Sequence, residues 1–145
     1  MIISITMLII NLIIIVEDVI TKSIRNIWLM TYLIIAVILR ADVLFEALVG
    51  GVIGLGFFLI AYFISKQGIG EADLIIIFIF GIIAGPMLIL KLIMFSSILS
   101  LPIVLYLFIR KKERRYEIPY APFLIIALYI VNKSVLFNSG SFQFS

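Results

Sequence analysis

Two pairs of acidic residues stand where an apolar run of this 145-residue chain meets its polar flank. Glu17 and Asp18 close the run MIISITMLIINLIIIV, and Glu71 and Asp73 open the run LIIIFIFGIIAG. An ordinary reason exists for Glu71 and Asp73, because a helix N-terminus favours negative charge. Asp18 falls near a helix C-terminus, where the macrodipole disfavours an anion. If the two helix ends meet, two carboxylates share one site, and such a pair keeps one proton near neutral pH. The ionised member can deprotonate a water, while the protonated member hydrogen-bonds a carbonyl under attack and then assists the leaving amine. That is hydrolysis by an aspartic dyad. Glu71 and Asp73 are two residues apart and point to different sides of a helix, so only one of them can face Asp18.

The rest of the composition narrows the chemistry. The chain contains no Cys and no His. Disulfides, thiol chemistry, Ser-His and Cys-His nucleophilic pairs, and Cys- or His-ligated metal sites are therefore excluded. No metal and no cofactor is expected. Glu113 and Glu117 lie in the basic stretch RKKERRYE and read as solvated. Asp42 sits in a short turn beside Arg40, and Glu46 falls where it can snorkel or pair locally.

The elements that must position these acids are apolar helices. Hydrophobic residues make up 65% of the chain and charged residues 13%, which leaves too little polar surface for a soluble domain of this size. With about 20 apolar residues needed per crossing, six spans fit, at residues 1–18, 27–40, 43–65, 73–90, 92–109 and 119–137. The expected fold is an all-α, polytopic membrane bundle in one domain, 1–145. The N-terminal run lacks a basic start and a small-residue cleavage site, so it reads as a retained span. Gly50 and Gly54 form a small-xxx-small pattern suited to close helix packing. Pro86 and Pro102 are expected to end or kink their spans.

Lys and Arg in the loops set the orientation. With the N-terminus outside, Lys22, Arg25, Lys66, Arg110, Lys111, Lys112, Arg114 and Arg115 are cytoplasmic, against Arg40, Lys91 and Lys133 on the other face. Both termini are then outside, in the cytoplasmic membrane of a cell. Both acid pairs lie on the cytoplasmic face.

Three stretches, in order, resemble the type IV prepilin peptidases, the aspartic membrane proteases that process prepilins and archaeal preflagellins. DVITKSIRN (Asp18–Asn26) is similar to that family's Asp-x-x-x-x-x-Ile-Pro-Asn segment. GIGEADLIIIFIFG (Gly68–Gly81) resembles a Gly-x-Gly-x-Gly-Asp segment with a glycine eight residues after the Asp, a place held here by Gly81. EIPYAPFL (Glu117–Leu124) is similar to the Ile-Pro-Phe-Gly-Pro-Phe stretch before the last span. The chain departs from the pattern with Arg25 in place of Pro, Ala72 in place of Gly and Ile75 in place of Lys.

The resemblance implies Asp18 and Asp73 as the catalytic pair, because the Asp73 register also places Gly81. Gly68, Gly70 and Glu71 then form the supporting loop. Glu17 and Glu71 become candidate contacts for a basic leader peptide. The implied substrate is a prepilin-like membrane protein, cut between its leader and its hydrophobic helix at the membrane surface; the lipid bilayer is the other partner, and no nucleic acid is involved. Without Cys or a further cytoplasmic region, a peptidase-only form without N-methylation is expected. The alternatives are a non-enzymatic membrane assembly or transport subunit, and a presenilin-like intramembrane protease.

Overall fold

The computed structural model describes residues 2–21, 23–64, 70–111 and 120–139. They form α1 (Ile2–Thr21), α2 (Asn26–Leu39), a 3-10 turn (Ala41–Val43), α3 (Leu44–Ile64), α4 (Glu71–Lys111) and α5 (Ala121–Ser139). The fold is all-α, with no strand among the described residues.

Local chemistry sets several of the boundaries. Thr21 closes α1, its hydroxyl in reach of both the Glu17 and Ser23 carbonyls and able to donate to either. Arg25 is extended, at φ −67° and ψ 131°, and its carbonyl accepts the Trp28 N–H as α2 begins. The Arg40 N–H returns to the Ala36 carbonyl as α2 ends.

The 41 residues of α4 are interrupted at Gly85, whose φ of 80° and ψ of 173° are open in practice only to glycine. Pro86 follows, with the fixed φ that suits a first helical position. Gly54 on α3 shows what the interruption does. A Cβ there would lie 3.1 Å from the Ile77 carbonyl oxygen and 3.0 Å from Ile89 Cγ1. Along an unbroken helix those two residues would stand about 18 Å apart. The chain therefore doubles back at Gly85, and both arms of α4 (residues 71–84 and 86–111) lie against α3.

Glycine makes this contact possible. A Cβ on Gly50 would lie 2.7 Å from the carbonyl carbon of Gly85, and one on Gly81 would lie 2.6 Å from the Gly51 Cα. Methyl groups do not fit there. The small-xxx-small pattern at Gly50 and Gly54 thus serves close backbone packing, and Gly81 belongs to the same seam. Around it, α5 packs on α4 and α1, and α2 packs on α4. Tyr32 and Phe80 meet edge-on at 5.8 Å inside a core that includes Ile14, Leu29, Ile79 and Leu124.

The expected six spans appear as five helices. Among the described residues, two stretches, Ala41–Ile64 and Glu71–Tyr106, are long and apolar enough to cross a membrane, and α2 is a shorter apolar helix. The break expected between residues 90 and 92 falls instead at Gly85, because a backbone conformation open only to glycine, followed by proline, stops a helix more firmly than the polar Lys91 does. Pro102 neither ends nor breaks its arm, since Gly85 alone departs from helical geometry within α4. The outside of the bundle is apolar, with Ile20, Phe45, Phe63, Met87 and Ile109 among its exposed side chains. An apolar surface on this scale is one that lipid or other protein covers.

Candidate active site

Asp18 is in the last turn of α1 and Asp73 in the first turn of α4. Both are withdrawn from solvent, at 7% and 4% exposure. They are close enough for the charge of Asp18 to act on Asp73. Two carboxylates far apart in sequence are thus brought into one buried place at the same end of the bundle.

The start of α5 holds Asp18. The Ala121 N–H donates to Asp18 Oδ2 at 3.2 Å. Ala121 is the first residue of α5, so this amide is one of the N-terminal donors that no carbonyl of the helix can satisfy. The anion disfavoured at the C-terminus of α1 is therefore compensated by the N-terminus of another helix. Tyr120 fixes that terminus. Its ring meets Phe58 at 5.4 Å, its hydroxyl donates to Ser96 Oγ at 3.3 Å, and its carbonyl accepts the Phe123 and Leu124 N–H groups.

Asp73 is held differently. Its N–H donates to the Gly70 carbonyl at 3.1 Å, which turns the chain into α4. Its Oδ1 is buried and has no hydrogen-bond partner. A buried acceptor left open costs free energy unless something else supplies a donor, as water or a bound substrate can.

The remaining candidates separate clearly. Glu71 is exposed at the start of α4 and does not join the pair. Glu17 is engaged within the chain: Arg25 donates to it through its backbone N–H at 3.1 Å and through Nε at 2.7 Å, and the Trp28 indole N–H donates at 3.2 Å. Glu17 therefore ties α1 to α2, with both of its oxygens accepting bonds from within the chain. Gly70 has room for a side chain, since a Cβ would rest 3.5 Å from Asp73 Oδ2 in ordinary contact. Its place in the loop beside Asp73 therefore does not depend on the absence of a Cβ. Gly68 lies outside the described residues.

Sequence reasoning singles out the PYAPFL stretch but misses that its contribution is a backbone amide. An N–H has no residue-type signature, so only the approach of Ala121 to Asp18 reveals it. Chemically, the arrangement offers paired carboxyls, one with an unfilled acceptor and one with a fixed donor. Such a pair can bind and polarise a water, shift a proton, and return it. Comparison with family models, with curated proteins and with solved structures returned no match.

Proposed function

We propose that the chain is a membrane-embedded aspartic endopeptidase of the type IV prepilin peptidase kind. The observation that carries the reading is that Asp18 and Asp73 are both buried and near enough for their charges to interact. Support comes also from the apolar exterior of the bundle and from the three motif-like stretches at the ends of α1, α4 and α5.

In this mechanism the pair shares one proton. The ionised carboxyl takes a proton from water as its oxygen attacks the scissile carbonyl carbon. The protonated carboxyl donates to the developing oxyanion. Proton return to the nitrogen then lets the C–N bond break, giving a new carboxyl end and a new amine. The Ala121 amide keeps Asp18 in place throughout. The substrate is a membrane protein with a short basic leader, cut where the leader meets its apolar helix. With α4 counted as two arms, the helices make six crossings, with both termini outside and the acid pair on the cytoplasmic face.

The test is removal of the leader from a tagged prepilin co-expressed in membranes, read as a gel shift. The native chain and Glu71→Gln should process the substrate, whereas Asp18→Asn and Asp73→Asn should not. Loss of at least about a thousandfold in rate is the scale for removing a member of a catalytic unit. Processing by folded Asp18→Asn would sink the dyad. Loss with Glu71→Gln and retention with Asp73→Asn would move the second acid by two residues. Cleavage inside the apolar helix would make the chain an intramembrane protease. No processing of several prepilins by folded native chain would leave a transport or assembly subunit as the reading to pursue.

A further inference from the structure

Arg40 is a buried cation away from the acid site. It closes α2 and is 4% exposed, yet its Nε has no hydrogen-bond partner. The one ion pair among the described residues joins Arg25 to Glu17, at the other end of α2. A guanidinium does not lose its proton in proteins, so Arg40 cannot escape burial by becoming neutral as a lysine can.

What it faces is the break in α4. Arg40 Nη2 lies 3.4 Å from the position of a Cβ on Gly85. Gly85 precedes Pro86, where the second arm of α4 begins and runs to Lys111. The first amides of that arm have no carbonyl of their own helix to bond, and they carry the positive end of its dipole. The first arm ends at the same spot, and its carbonyl end explains why a cation is tolerated there. It does not supply an acceptor for Nε. A buried guanidinium and a helix N-terminus therefore converge beside the first arm's carbonyl end. Since the two helix ends largely offset each other, the full charge of Arg40 leaves the place favouring an anion. Counted along the first arm of α4, this place is about 18 Å from Asp73, so it is not part of the acid site.

We infer that Arg40 and the start of the second arm of α4, at Gly85–Pro86, form a binding site for a phosphate-type oxyanion, carried by a lipid headgroup or free in solution. The planar fork of Arg matches two oxygens of such a group at once, which lysine does not. Helix N-termini bind the same chemistry through backbone N–H groups. The site needs neither Asp18 nor Asp73, so it stands or falls separately from the peptidase reading.

The experiment measures thermal stability of the full chain in detergent under three titrations: inorganic phosphate, dioctanoyl-phosphatidylglycerol, and dioctanoylglycerol, which has the same tails and no phosphate. A saturable rise in Tm with the phospholipid but not with dioctanoylglycerol supports the site and identifies the source as lipid. The same rise with inorganic phosphate supports it with the free anion as sufficient ligand. In Arg40→Gln the half-saturating concentration should rise about tenfold or more, the scale for losing a charge-assisted bond, with Arg40→Lys in between. Equal responses to phosphatidylglycerol and dioctanoylglycerol, with none to phosphate, would overturn the proposal on the native chain alone. So would an unchanged response in folded Arg40→Gln or Arg40→Lys, which would make Arg40 a partner of the first-arm carbonyls only.

Discussion

Arg25 stands where the resembling family has proline, and its backbone holds a conformation that proline also adopts. Its φ of −67° is the value a proline ring would impose. The N–H that proline would lack is spent on Glu17 instead, and the guanidinium adds a second bond to the same carboxylate. Since the Arg25 side chain is 70% exposed, solvent screens most of that ion pair. Arg25→Ala and Arg25→Pro should therefore fold, lower the melting temperature by a few degrees at most, and still remove the leader from a prepilin. A loss of activity as deep as that of Asp18→Asn would instead give the Glu17–Arg25 tie a part in the chemistry. At this scale the acid pair is legible in the sequence, because residue type and position at a helix end carry it. The role of Glu17 is not, because its partners come from the turn after α1 and from α2.

Among the elements, the seam between α3 and the two arms of α4 decides how closely the helices pack. Backbone meets backbone at Gly50, Gly81 and Gly85, where a methyl added to Gly50 or Gly81 would lie within 2.8 Å of main-chain atoms that cannot swing aside. Gly50→Ala and Gly81→Ala should each lower stability by about 3 kcal/mol or more, at or beyond the upper end of overpacking penalties, because the obstacle is backbone. Gly56 has nothing within 4 Å of its missing Cβ, so Gly56→Ala should be neutral or slightly stabilising, as expected for alanine in a helix. Thermal unfolding of the three variants checks the series. The glycine spacing on α3 is legible in the sequence as a packing pattern. The reversal at Gly85 is not. Apolar residues run on both sides of it, and length alone puts the division at residues 90–92, which leaves the Gly-Pro step as one kink among two.

For the whole molecule, the exposed side chains of Ile20, Phe45, Phe63, Met87 and Ile109 require a cover other than water. The chain should stay in the pellet when membranes are washed with alkaline carbonate; release into the supernatant would point to protein partners as that cover. The general all-α, apolar character follows from composition. The number of crossings does not, because the division of α4 rests on one backbone conformation, at Gly85. α1 and α3 have 20 and 21 residues, but α2 has 14, and the first arm of α4 stops at Gly85. By rise per residue α2 reaches about 21 Å, well short of a hydrocarbon core of about 30 Å. On the membrane reading, the bilayer meets a molecule that is tall on one side and short on the other. Its leaflets must pinch inward beside α2, drawing headgroups and water down toward the helix ends. Catalysis by such a molecule should depend on acyl length: faster in vesicles of myristoyl lipids than in those of eicosenoyl lipids, at equal protein incorporation. Thickness of the host membrane would then act as a control on the rate, with no ligand or modification involved.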